Sequence, residues 1–330
     1  MTYDRVRILS ASMTLGIALI GTPALAGDTI VFHGICDGSA AVKLGQDQIL
    51  VAYDEENTIY TYPVGGDHAL ARAGLSGLLS IAESDETDIE AAALASDRIW
   101  WIGSHGHDRR GAPAPYRRML FATNVPSPPL DDLVLLSGPL DLTDTFLESP
   151  PVAAILEESV RAQNPKQRGI NIEGLTIDKD GTLLVGFRSP LDKDTGRALV
   201  VRLSATGNSF VVRDSYLLDL GHRGIRDMTS DGNGFAIVSG PAGDGGDFAV
   251  YAWTPPESPV LVSKLSGLNA EAILDQGTHW LILSDDGKVR RNDPESKKGQ
   301  RQCDKIRKNS RLGDRHPGVY FRAERLEKTP

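Results

Sequence analysis

The sequence predicts an all-β protein, a β-propeller of five blades with one short helical insertion, and three observations lead there. Two apolar, β-rich runs around a Gly, Asp or Asn turn recur five times along the chain. A further strand-like run follows each pair. The copies stand about 60 residues apart, the length of a blade of three or four strands. A sixth blade stays open, because the interval from Glu90 to Glu173 is 83 residues where the others are 53, 54 and 44.

In chain order, the first element is one the mature protein is expected to lose. Arg5 and Arg7 precede an apolar stretch from Ile8 to Ile20, and Pro23, Ala24, Leu25 and Ala26 follow it. That succession is a basic head, an apolar core and a small-residue cleavage site. Residues 1–26 are therefore read as a signal peptide and 27–330 as one propeller domain, in the periplasm or outside the cell. The stretch is shorter than the roughly 20 residues that cross a bilayer. Nothing later is apolar for long enough, so no membrane span is expected after cleavage. In an oxidising compartment, Cys36 and Cys303 are expected to form a disulfide between the start and the end of the mature chain.

The first hairpin runs from Asp37 to Leu44 and returns from Ile49 to Glu55. The second enters through Asp88, Ile89 and Glu90 and returns from Ile99 to His105. The third, Asn171–Ile177 and Leu183–Arg188 around an Asp-Gly turn, is the clearest. The fourth enters at Arg226, Asp227 and Met228 and ends at Ser239, and the fifth runs from Glu271 to Asp285. The runs that follow are Thr58–Tyr62, Arg118–Ala122, Ala198–Leu203, Phe248–Trp253 and Val319–Arg325. In the long interval, Val152, Ile155, Leu156 and Val160 stand at helical spacing behind Pro150 and Pro151. They predict a short helix over one face of the propeller, within an insertion at about 126–168.

The formal charge of -9 argues against nucleic acid as a partner. Within this acidic chain, residues 288–315 hold eleven Lys and Arg against four Asp and Glu. We read that stretch as a solvated, poorly ordered loop, with contact to an anionic surface as the alternative.

Glu90 and Ser104, Glu173 and Arg188, Asp227 and Ser239, and Glu271 and Ser284 lie 14, 15, 12 and 13 residues apart. A hairpin returns to its starting edge, so such pairs are neighbours on one rim. The rim is expected to gather Asp54, Glu55, Glu90, Ser104, His105, Glu173, Arg188, Arg226, Asp227, Glu271 and Asp285 around the axis. Crowded carboxylates raise one another's pKa unless guanidinium groups or a hard divalent ion such as Ca2+ or Mg2+ intervene. Any one of them can instead accept a hydrogen bond from a backbone amide of the next blade and hold the ring shut. His105 and His107 lack a third ligand, so they make a weak metal pair.

Several motifs resemble a family of bacterial secreted propellers catalogued as a domain of unknown function. They are Ser104-His105 with Arg118 beyond it, Asn171-Ile172-Glu173-Gly174-Leu175, Gly186-Phe187-Arg188-Ser189-Pro190, Gly224-Ile225-Arg226-Asp227, Trp253 and Ser284-Asp285-Asp286-Gly287. The chain is more distantly similar to esterase-like propellers related to phytase. The resemblance implies the fold and carries no agreed reaction. Arg226-Asp227-Met228 departs from the Glu followed by Gly or Ala found in other repeats.

No G-x-S-x-G, H-E-x-x-H or G-x-x-x-x-G-K-S/T motif occurs. Two functions follow from the rim. The first is an exported monomer that binds a small anionic or metal-linked ligand or an envelope component. Ser104, Arg118, Arg188 and Arg226 would contact the ligand, with Glu90, Glu173, Asp227, Glu271 and Asp285 around a metal. The alternative is a metal-dependent hydrolase of phosphoesters or related esters, with His105 and Glu173 as catalytic groups.

Overall fold

The computed structural model describes residues 29–108, 110–161, 169–243 and 245–328, so the signal peptide assigned to 1–26 lies outside them. Five sheets stand around one axis, each led by an inner hairpin at an expected position. Blade 1 is Ala40–Leu44, Gln48–Tyr53, Thr58–Pro63 and Ala71–Gly74. Blade 2 is Ile89–Leu94, Arg98–Gly103, Leu120–Asn124 and Leu135–Leu140. Blade 3 is Asn171–Ile177, Leu183–Ser189, Ala198–Thr206 and Ser209–Leu218. Blade 4 is Gly224–Ser230, Phe235–Gly240, Phe248–Trp253 and Val260–Leu265. Blade 5 opens with Ala270–Asp275 and His279–Ser284.

Blade 5 is completed from both ends of the chain. Tyr320–Glu327 supplies its third strand, and Ile30–His33 pairs antiparallel with it, Ile30 opposite Ala323 and His33 opposite Tyr320. The ring is closed by backbone hydrogen bonds, so neither terminus leaves an open blade edge at the join.

Apolar side chains of adjacent blades fill five clusters, one at each interface. Inner and second strands are buried on both faces, which is why they read as near-continuous apolar runs. Outer strands alternate, as in Ser209–Leu218. The Asn-Ile-Glu-Gly-Leu motif has a packing reason: Gly174 lies opposite Gly186, and Ile225 of the next blade fills the space above both.

The 83-residue interval holds the fourth strand of blade 2 and two helices, Thr143–Leu147 and Pro150–Val160, and no sixth blade among the described residues. Phe146, Val152 and Leu156 join the cluster between blades 2 and 3, so the helices plug an interface where a helix over one face was expected.

The basic stretch is a correction. Residues expected as a poorly ordered loop form a cap, a hairpin of Arg290–Asn292 with Gln300–Gln302 and then the helix Cys303–Asn309. Ion pairs and burial order it. Arg291 reaches Asp286 at 2.7 Å, Arg301 reaches Asp293 at 3.1 Å, and Arg307 and Lys308 pair with Glu56 and Glu55. Cys303 forms the expected disulfide with Cys36, and Ile306 and Val319 bury beside it. No helix among the described residues is long and apolar enough to cross a membrane.

Candidate functional site at the mouth of the axial channel

The same backbone device aims side chains inward in four blades. At the head of each inner hairpin the pairing register slips by one residue: between Ile89 and Ala91, Ile172 and Gly174, Ile225 and Asp227, and Ala270 and Ala272. The extra residue of each bulge is Glu90, Glu173, Arg226 and Glu271. A bulge leaves one residue unpaired and re-aims its side chain. Blade 1 has no such slip, and Asp37 and Asp54 flank its hairpin.

The register therefore puts Arg226, and not Asp227, in the position of the three glutamates. Arg226 lies between Glu173, 2.9 Å from Nε, and Glu271, which it also contacts. Arg188 donates to Glu173 at 2.7 Å and to the Pro241 and Gly243 carbonyls at 3.1 and 2.9 Å. Glu173, Arg188, Arg226 and Glu271 of the sequence-predicted ring thus converge, with Glu173 and Arg226 almost wholly buried. Asp227 accepts a hydrogen bond from the Ile273 amide at 2.8 Å, stapling blade 4 to blade 5. Burial pushes its carboxyl well above the usual range.

Above this ring opens a cavity of about 610 Å³ lined by Asp37, Asp54, Glu55, Asp88, Glu90, Ser104, His107, Arg117, Asn171, Arg188, Ala242, Asp285 and four cap residues, Lys288, Gln302, Asp304 and Lys305. One wall is acidic. Burial, and then the neighbouring carboxylates, push Asp37, Asp54 and Glu90 well above the ordinary range. Burial also raises Asp88 and Asp285, against the pull of Arg117 on the first. Burial raises Glu271 to about 8, with Arg226 opposing and Glu173 adding to the rise.

Asp54, Glu86 and Asp88 each bring a carboxylate oxygen within 4.8 Å of the others. Arg117 binds Glu86 and Asp88, both at 2.7 Å. One buried oxygen each of Asp37 and Asp54 has no hydrogen-bond partner among the described residues. Inward-facing carboxylates with orphaned oxygens fit the oxygen ligand set of a hard divalent cation.

Other predicted residues fall elsewhere. Arg117 lines the cavity where Arg118 was expected; Arg118 stands by the two histidines, where its charge lowers their pKa behind the larger effect of burial. Both ring nitrogens of His105 meet the backbone: Nδ1 lies 3.1 Å from the Gly103 carbonyl, and Nε2 accepts from the Leu142 amide at 3.3 Å. That pairing holds the ring neutral and ties the helical insertion to blade 2. His107, two residues on, reaches the cavity. Ser104 lines the wall, and Gly103 before it permits the close approach, since a Cβ there would meet the Arg117 carbonyl at 2.4 Å.

Sequence reasoning missed Glu86, Arg117, Asn171 and the cap residues, and it left Asp37 and Asp88 out of the ring. The repeat held one usable signal, an Asp just ahead of both of the first two inner strands.

No curated protein matches the chain by sequence. Among solved structures, the chain is similar to an exo-β-1,3-galactanase from Phanerochaete chrysosporium at 10% identity, covering 91% of this chain and 63% of that one, with a TM-score of 0.47. It spans under two thirds of that enzyme's length. A GH43 glycoside hydrolase whose active site was engineered to display both endo-xylanase and exo-arabinofuranosidase activity gives 12% identity, 90% and 56% coverage and a TM-score of 0.46. A luciferin-regenerating enzyme gives 8%, 91% and 96%, and 0.44. A family model matches residues 38–118 and 141–260, and the chain belongs to that family, DUF3616, a protein of unknown function.

Proposed function

We propose that this is an exported binding protein whose charged channel mouth holds a divalent cation, Ca2+ or Mg2+, and through it a small anionic ligand or a charged envelope component. The carrying observation is the pair of buried, unpartnered carboxylate oxygens on Asp37 and Asp54, beside Asp88 and Glu90 in one cavity. Burying unpaired carboxylates is costly, and a dication removes that cost. The disulfide supports export, since such bonds persist in oxidising compartments. Titration of metal-free protein with Ca2+ and with Mg2+, followed by calorimetry, is expected to show one site. Asp54→Asn and Glu90→Gln should each weaken it about tenfold or more. Absence of binding of either ion at millimolar concentration sinks the reading.

A second reading is metal-dependent hydrolysis of a phosphoester. It is favoured by Glu90, a cavity carboxyl whose raised pKa suits proton donation to a leaving group. Glu173 is a poor test, because its loss would strand Arg188 and Arg226. Turnover of p-nitrophenyl phosphate with metal present, lost in Glu90→Gln, is the expected result. No turnover leaves binding as the activity.

A further inference from the structure

The three arginines that the blades bring to the channel mouth are committed to the protein itself. Arg117 is held by Glu86 and Asp88, Arg226 by Glu173 and Glu271, and Arg188 by Glu173 and two carbonyls. The cap differs. Its Lys288 and Lys305 line the cavity with exposed side chains, and no ion pair or hydrogen bond of either ammonium group occurs among the described residues. The blades bring carboxylates with orphaned oxygens to this cavity, and the cap brings two ammonium groups, of which Lys288 also lowers the pKa of Asp285; such a lining matches a ligand that is itself dipolar.

We infer that Lys288 and Lys305 recognise an oxyanion on the ligand, which spans from the acidic wall's cation to the cap. This rests on the cation reading above. The cap is held rigidly enough for such a role. The Cys36–Cys303 disulfide pins the start of its helix, and Arg307 binds Glu56 and donates to the Gly34 carbonyl at 3.1 Å. Gly287 lets the helix begin against the strand end, because a Cβ there would meet the Asp304 carboxylate at 2.5 Å. Two point charges on flexible stems suit a phosphate or carboxylate, because they can follow the anion without fixing its orientation. The binding pair therefore sits on an insertion of blade 5, outside the inner strands that carry the repeat.

The test uses the oxidised full-length mature protein saturated with Ca2+, titrated calorimetrically with phenylphosphonate and with benzoate. Tighter binding of phenylphosphonate assigns a phosphate-type ligand, and tighter binding of benzoate a carboxylate. Binding of neither overturns the inference. The double variant K288A/K305A is expected to lose about tenfold or more in affinity for the tighter anion while its Ca2+ affinity is kept, and K288R/K305R to stay within about threefold of the parent. Equal anion affinity in parent and K288A/K305A, with Ca2+ bound in both, overturns the cap assignment alone. Failure of the parent to bind Ca2+ overturns the cation reading and is a separate result.

Discussion

The two ends of the axial channel are built by the same five inner strands and share almost no chemistry. The far end is a space of about 200 Å³ lined by residues such as Val42, Ala92, Leu175, Met228 and Ile273, with Thr176, Thr229 and Ser230 among them and Lys43 and Asp275 as its charged members. The mouth is about 610 Å³ and crowded with carboxylates. Regular pairing through the inner strands beyond the bulges leaves side chains alternating, and mostly uncharged groups line that end. At the heads, bulges add one inward residue in four blades, and that residue is Glu or Arg each time. The difference teaches that a propeller separates its ring-closing core from its ligand face by a local change of backbone register.

The strongest way to break the contrast is Arg226→Met. It leaves Glu173 and Glu271 buried without their shared partner, and an expected loss of about 3–5 kcal/mol would show in the urea midpoint. Replacing both cysteines, C36S/C303S, should cost about 2–5 kcal/mol. Hydrogen exchange should then quicken in the cap and stay unchanged at the far end; uniform quickening would show that the bond braces the whole ring.

Acidity sharpens the same contrast. Glu271 titrates near 8 in the folded chain, above the carboxyl range near 4.5 of an unfolded one. The folded state therefore holds a proton that the unfolded state releases. The contribution of Glu271 to the stability of the metal-free protein should be fully present below about pH 4.5 and be lost as pH rises to about 8, with no further loss from this group above that. Cation binding has the opposite slope, because it needs the carboxylates ionised. The rise in melting temperature on adding Ca2+ should then be larger at pH 8 than at pH 6. Equal shifts at the two values would contradict the cation site.

Glu90→Gln removes a carboxyl whose ionised form is penalised by burial and by its carboxylate neighbours, and is expected to stabilise the metal-free protein by about 1 kcal/mol. Thr229→Val at the far end should change stability by only about 0.5 kcal/mol and leave every ion response intact. A Ca2+ response that fell with Thr229→Val would mean that the two ends are coupled.

Much of the fold was legible in the residues. Five hairpins, their third strands, the disulfide and the helix near 150–160 all follow from period, turn chemistry and compartment. The convergence of Glu90, Glu173 and Glu271 was legible too, since a hairpin's two ends must meet. The one-residue details were not. Asp227 was aligned with the glutamates because both are acidic, while the bulge gives that position to Arg226. Arg118 was chosen over Arg117, and His105 over His107, because nothing in the order of residues tells which neighbour a turn will face inward. The cap read as a solvated loop because its neutralising partners, Glu55, Glu56 and Asp286, belong to blade 1 or precede the basic run.

By itself the chain determined its period and the polarity of one rim, since alternation and turn residues act over a few neighbours. Only the tertiary structure decided which charges are consumed by ring closure and which remain for a ligand. That division depends on partners brought together from different blades, as with Arg226 and Glu271, 45 positions apart, and Arg307 and Glu56, 251 apart. Pairing across such distances is settled by packing geometry, which local sequence does not encode.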